Sequence, residues 1–313
     1  MSPICLFVYK RYDTTKQMLE SLMACPECSD SDLYVFMDAA RSEKDIEEVV
    51  KVRSLFEGLE GFRHVESFPA DTNKGLARSI IEGVSYVLQK HDDIIVLEDD
   101  LVVAPDFLSF MNEALKVYKD RSDIWSISGY TPNLEDIDQN KSNGVFLVPR
   151  AQCWGWATWR DRWMKVDWEV GDYEKIAKSK VLQDNFNRGG DDLFRTLKME
   201  RRGRIESWAV RWAYAAAKNN MLTVNPMQSK VQNIGIESSE THSSWNGSKH
   251  HVDLNSQPTV IDPDVHFDAT IASAFKRHHD LGLISRIGYF MRLNNLGYAF
   301  IKRIVKVFNN KRI

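Results

Sequence analysis

The sequence predicts an α/β fold with a mostly parallel central sheet flanked by helices, and two observations predict it. Short β-rich runs alternate with longer amphipathic stretches over about the first 130 residues, the pattern of repeated strand–helix–strand units. Two of those runs end on acidic residues, as expected where strand carboxyl ends open on a ligand crevice.

The elements follow in order. ICLFVY reads as the first strand and TTKQMLESLMA as the helix returning from it. LYVFMD is the second strand and ends on Asp38; Ser42 with Asp45 then has the spacing of a capping box opening the next helix. FRHVESF is a third strand. NKGLARSIIEGVSYVLQK is a helix with Gly75 in its first turn, and DDIIVLEDD is a central strand ending on Glu98, Asp99 and Asp100. Ala104-Pro105 opens another helix, since proline suits a first helical position, and the following LVVAPDF is the return into it. DIWSISGY closes the set. TPNLEDIDQNKSNG is a loop or linker, beyond which the alternation is lost and tryptophans become dense. The chain therefore divides into residues 1–135, a second half of the same domain over 136–280, and a basic C-terminal segment over 281–313.

With 43% hydrophobic and 27% charged residues and a net charge of −3, the 313-residue chain is that of a globular protein with no global attraction to nucleic acid. The start lacks a basic and apolar leader, and no apolar run approaches a membrane span, so a cytoplasmic location is expected. Cys5, Cys25, Cys28 and Cys153 are too few and scattered for a disulfide scaffold, and are expected as free thiols. The last 33 residues carry seven Lys/Arg and no acid, with Ile287, Met291, Tyr298, Ile301, Val305 and Phe308 near helical spacing. Residues 285–313 thus suit either contact with an anionic membrane surface or packing on the domain with a solvated basic face. Gly288 and Gly297 weaken a helix in both cases.

Three consecutive carboxylates at a strand tip make physical sense if a hard divalent cation offsets their repulsion and shares its shell with substrate phosphates. They also fit solvated turn residues, with Asp100 capping the next helix. Lys74 and Arg78, one turn apart at the start of the preceding helix, and Arg11 after the first strand add cations to the same crevice, which favours a metal–diphosphate site.

At this point the residues resemble a known family. VLEDDLVVAPDFLSFM with IWSISGYTPN is similar to the Glu-Asp-Asp region of N-acetylglucosaminyltransferase I and its relatives, inverting glycosyltransferases of the GT-A fold; NKGLARSIIEGV resembles their Asn-x-Gly helix. Related bacterial sugar transferases carry stretches similar to CWGWATWRDRW, SWAVRW and NIG…THS, at 153–163, 207–212 and 233–243. The resemblance implies that residues 1–135 bind a nucleotide sugar and 136–280 bind the acceptor. It implies that Arg11 and Asp38 contact the uridine of a UDP-sugar, that Glu98 and Asp99 line ribose and diphosphate, and that Asp100 binds Mn²⁺ (or Mg²⁺). His242 is a further candidate for the metal or diphosphate. The family's base lies in a Trp-Asp-Asp-Trp stretch, where this chain has Ala209 and Val210. Glu206 is the nearest carboxylate, with Asp191 and Asp192 as alternatives. Trp154 and Trp156, flanking Gly155, are expected to stack on the acceptor sugar, whereas Trp159 and Trp163 are at core spacing.

The expected activity is transfer of a sugar from a UDP-sugar to a glycan or lipid-linked acceptor, with the basic segment motivating a place at the inner membrane face. A sugar-phosphate nucleotidyltransferase is the alternative enzyme, although VYKRYDTT lacks a glycine-rich phosphate loop. An inactive sugar- or nucleotide-binding module is the non-enzymatic one.

Overall fold

A computed structural model describes residues 1–235, 250–254 and 257–293. Its fold is of the expected class, an α/β structure around one eight-stranded sheet. The first half contributes β1 (Ile4–Val8), β2 (Asp32–Met37), β3 (His64–Pro69) and β4 (Asp93–Glu98), with α1 (Tyr12–Met23), α2 (Ile46–Ser54) and α3 (Leu76–Lys90) between them. These four strands are mutually parallel in the order β3-β2-β1-β4.

Strand alternation sends side chains to both faces. In β1, Ile4, Leu6 and Val8 join an apolar cluster with Met18 and Leu22 of α1, while Cys5 and Phe7 join another with Ile80 and Val84 of α3. Ile94 to Leu97 of β4 are fully buried, as a central strand covered on both faces requires. Each such aliphatic side chain contributes about 1.5–3 kcal/mol of burial.

The acidic triplet is not followed directly by a helix. Leu101–Val103 forms β5, which pairs antiparallel with β10 (Val231–Asn233) in a separate ribbon, and α4 begins only at Phe107 and runs to Tyr118. Leu101 and Val103 are buried against the core, so the ribbon anchors the triplet from its far side. Ser42 also departs from the expected capping box. Its hydroxyl donates to the Asp45 carboxylate at 3.0 Å, and a 3-10 turn over Glu43–Asp45 precedes α2.

Beyond residue 131, where the sequence shows no alternation, the chain returns three strands to the same sheet. With β6 (Ile124–Ser128) already placed, β7 (Val145–Val148), β8 (Trp156–Trp159) and β9 (Leu222–Pro226) complete the order β3-β2-β1-β4-β8-β6-β9-β7. β8 is antiparallel to both neighbours and β7 to β9; the other six strands share one direction. β8 lies beside β4, so the two halves of the chain share one sheet.

Helices α5 (Arg160–Trp163), α6 (Tyr173–Lys178), α7 (Lys180–Phe186), α8 (Leu193–Arg201) and α9 (Trp208–Lys218) follow, then α10 (Ala269–His279) and α11 (Leu283–Leu293). The described start of the basic segment is therefore helical and held to the domain. Met291 is buried, Arg286 pairs with Asp191 at 2.5 Å, and the Arg202 guanidinium donates to the Leu293 carbonyl. The rest of the segment, from 294, lies outside the described residues. Among the described residues no helix is long and apolar enough to cross a membrane. All four cysteines are free thiols; burial pushes Cys25 up to about 11 and Cys28 up to about 12, so both are protonated at neutral pH.

Candidate active site

The carboxyl ends of β1, β2 and β4 lie side by side, and the polar residues that follow them gather there. Glu98, the last residue of β4, is in register with Phe7 of β1. Just beyond, the Tyr9 amide donates to Asp99 Oδ2 at 3.0 Å, and Arg11 Nη1 meets Asp100 Oδ2 at 2.5 Å and Asp99 Oδ1 at 3.7 Å. From the far side Asn233 Nδ2 donates to Asp100 Oδ1 at 3.4 Å, and the Ile234 amide donates to the Asp100 carbonyl at 2.8 Å. Sequence reasoning did not single out Tyr9 or Asn233.

The electrostatics are those of too much negative charge in a confined place. Burial, then the charges of Asp100 and Asp99, push the Glu98 carboxyl well above the usual carboxylate range. Asp99 is raised to about 7, first by burial and then by Asp100, with Arg11 and the Tyr9 amide pulling the other way. Burial works against the charge on Arg11, and the Asp99 and Asp100 carboxylates outweigh it, so the guanidinium ends above its usual value.

A divalent cation of the Mg²⁺ or Mn²⁺ type suits the charge of this place, since it would relieve the repulsion among three neighbouring carboxylates, two of which pair with Arg11. Gly235 lets the Asp100 side chain pack directly on its backbone, because a Cβ there would fall within 3 Å of that side chain. Among the described residues no group of three or more His, Cys, Asp or Glu is arranged around a metal position. His242 lies outside the described residues.

Asp38 is engaged with backbone. Its Oδ1 accepts from the Ala39 and Lys74 amides at 2.9 and 2.8 Å, and its Oδ2 from the Gly75 amide and Asn73 Nδ2, both at 3.0 Å. One carboxylate thereby fixes the Asn-Lys-Gly turn that starts α3. Gly75 is the N-cap residue rather than part of the first turn, with φ of +76°, a conformation that favours glycine. Glu206 stands against this turn, its Oε2 3.5 Å from where a Cβ on Gly75 would lie. The Asp38 amide donates to the Val8 carbonyl, so this cluster and the Arg11–Asp100 cluster are joined through β1. Glu206 itself is exposed.

Lys74 and Arg78 do not point into the acidic cluster. Both clasp Glu82 on the exposed side of α3, at 2.8 and 2.6 Å. Lys74 and Asp38 also border a cavity of about 540 Å³ walled by the stacked rings of Phe36 and Phe68, 4.7 Å apart, and by Tyr86.

The two tryptophans expected at the acceptor separate. Trp154 is partly buried and lines a cavity of about 490 Å³ with Cys153, Asp192, Ser207 and Ala209, packed edge-on against Tyr130 at 4.6 Å. Trp156 is instead fully buried, packed on Trp163, Trp208 and Trp212 within 6 Å. Gly155, with φ of +55°, turns the chain between them, and the register of β8 then directs Trp156 into the core. Trp159 and Trp163 are buried as their spacing implies. Burial, then the nearby charge of Glu98, pushes the Cys153 thiol up to about 12.

Of the alternative carboxylates, Asp192 faces the Trp154 cavity and is gripped by Arg150 through two hydrogen bonds of 2.8 and 2.9 Å. Asp191 accepts from the Leu281 amide and pairs with Arg286, so it ties α11 to the domain. Arg150 was not singled out from sequence; a lone arginine after a strand gives no sign of its partner.

No family model matches the sequence, and no curated protein matches it. Among solved structures, the mannosyltransferase PcManGT from Pyrobaculum calidifontis, in complex with GDP-Man and Mn²⁺, is 13% identical; the match covers 70% of this chain and 73% of that one, with a TM-score of 0.38. S. aureus TarS 1-349 in complex with UDP-GlcNAc is 9% identical over 73% of this chain and 57% of that one, with a TM-score of 0.37. Both likenesses are distant, and neither singles out N-acetylglucosaminyltransferase I.

Proposed function

We propose that this chain is a metal-dependent, inverting glycosyltransferase that moves a sugar from a UDP-sugar to a glycan or lipid-linked acceptor. The observation that carries the proposal is the Arg11, Asp99 and Asp100 cluster at the carboxyl ends of β1 and β4, with the Asp100 side chain packed closely on Gly235. A bound Mn²⁺ or Mg²⁺ would supply charge stabilisation for the departing diphosphate. Asp100 is the residue to hold it, with His242 as a second candidate.

Each remaining residue then has a task. Arg11 pairs with the acids when the donor is absent and turns toward uridine or phosphate when it arrives. Asp99 and Glu98 support ribose and diphosphate. Asp38 keeps the Asn73–Gly75 turn in shape beside the uridine, while Lys74 and Arg78 are anion contacts that must first release Glu82. Glu206, beside that turn, takes the proton from the acceptor hydroxyl as it attacks the anomeric carbon. Trp154 offers its face to the acceptor sugar. Asp192 is a second candidate base because it lines the same cavity as Trp154, where Arg150 grips it through two hydrogen bonds. The basic segment 285–313 brings the enzyme to the inner face of the membrane.

The test is a thermal-shift panel of UDP-sugars and GDP-sugars with and without Mn²⁺, run on the wild type and on Asp100→Ala. Mn²⁺-dependent stabilisation by a UDP-sugar, lost in Asp100→Ala, is the expected result. Absence of any nucleotide-sugar effect, or an unchanged metal effect in the variant, refutes the proposal. Glu206→Gln is expected to bind donor and lose turnover; if it turns over normally while Asp192→Asn does not, the base is Asp192.

A further inference from the structure

A separate cavity of about 650 Å³ opens among α7, α8 and α10, on the other side of the Asp191-Asp192 turn from the Trp154 cavity. Arg195 and Lys198, three residues apart on α8, both face it and are half-buried. Among the described residues neither has an ion-pair partner. Arg188 enters from the turn after α7, with its guanidinium 6.0 Å from the Phe267 ring. Two further cations that line it, Lys180 and Lys276, are already paired with Asp184 and Asp280, and the carboxylates of Asp184 and of Asp191, which pairs with Arg286, line it as well.

Three cations that line one cavity with no ion-pair partner among the described residues repel one another, and the half-burial of Arg195 and Lys198 adds a desolvation cost. A dianion with several acceptor oxygens offsets both, and guanidinium forks match phosphate geometry. Pro149, Phe194 and Phe267 add apolar lining beside the cations, so the cavity has a place for the body of a ligand as well as its charge. We propose that this cavity binds a phosphate ester, with Arg188, Arg195 and Lys198 holding the phosphate and Phe194 and Phe267 contacting the group that carries it. The proposal is independent of the donor site and of the glycosyl-transfer chemistry.

Titration calorimetry on the full chain without metal tests it, with glucose 6-phosphate and inorganic phosphate as probes. The ester is expected to bind more tightly than inorganic phosphate, and the double variant Arg195→Gln/Lys198→Gln to bind it about tenfold or more weakly, since charged hydrogen bonds are the strong ones. Phe267→Ala, at an exposed position that leaves folding intact, is expected to weaken the ester and leave inorganic phosphate unchanged. Asp100→Ala should retain ester binding, which separates this site from a failed donor site. Equal affinity in wild type and double variant, or no binding by the wild type, overturns the proposal. Equal affinity for the ester and inorganic phosphate overturns the part played by the aromatic walls.

Discussion

Between β1 and β4 the charged residues that interrupt the apolar runs fall just past the strand ends, whereas around β8 and α9 most of the tryptophans that dominate the sequence turn inward. The first region assembles polar chemistry at the rim of a sheet whose central strands, β1 and β4, are almost wholly buried. The second spends its largest side chains on packing, with Trp125, Trp156 and Trp212 all at 0% exposure, and leaves Trp154 to face a cavity. A strand end turns a residue out of the core by geometry alone. An aromatic residue has no such guarantee, because the face it occupies depends on the register of the strand that carries it.

The largest effect that would sharpen this contrast is on stability. Trp156→Ala should cost about 3–5 kcal/mol, the range for removing a buried large aromatic side chain, whereas Trp154→Ala should leave the denaturant midpoint nearly unchanged and act on acceptor KM. Comparable destabilisation by both would erase the distinction between core and cavity tryptophans.

Next is Gly235→Ala. The added methyl would lie within 3 Å of the Asp100 Cβ as well as its carboxylate, which side-chain rotation alone cannot relieve, so the local backbone must shift and Asp100 with it. Mn²⁺-dependent nucleotide-sugar binding should weaken about tenfold or more, as when the supports of a metal ligand are disturbed. An unaltered affinity would mean that Asp100 does not act from the position seen here.

The smallest effect is a pH dependence set at the far end of α3. Burial lowers the pKa of His91 below 6.5, and its Nε2 lies 2.9 Å from the Tyr34 hydroxyl. The unfolded chain therefore binds this proton more readily than the folded one, and the contribution of His91 is full above 6.5 and lost as pH falls through the lowered folded value. Denaturant midpoints should drop on acidification through that window, and His91→Gln should flatten that part of the profile. An identical profile in the variant would remove His91 from the account.

What was legible in the sequence follows the same division. Alternating and continuous apolar runs located β1 to β4 and β6, and the acids ending β2 and β4 marked the crevice, because these signals are local. β7, β8 and β9 were not legible, since they are short and mostly buried, so they show neither alternation nor length. β5 was hidden for another reason: its partner β10 lies about 130 residues away, and a three-residue apolar run gives no sign of so distant a pairing. Asp38 was found, but not its three hydrogen bonds to the Asn73–Gly75 turn, which exist only once β2 and α3 are side by side.

The tryptophan cluster also makes the protein an unevenly lit object. All nine tryptophans lie beyond residue 124, so intrinsic fluorescence excited at the indole band comes entirely from that part of the chain. Trp156, Trp163, Trp208 and Trp212 are close enough to share excitation, while Trp154 sits apart against Tyr130 and His250. A change in emission colour on adding a ligand at β1 and β4 would thus report a disturbance carried across to β8, and solvent quenching would single out Trp154 from the enclosed four.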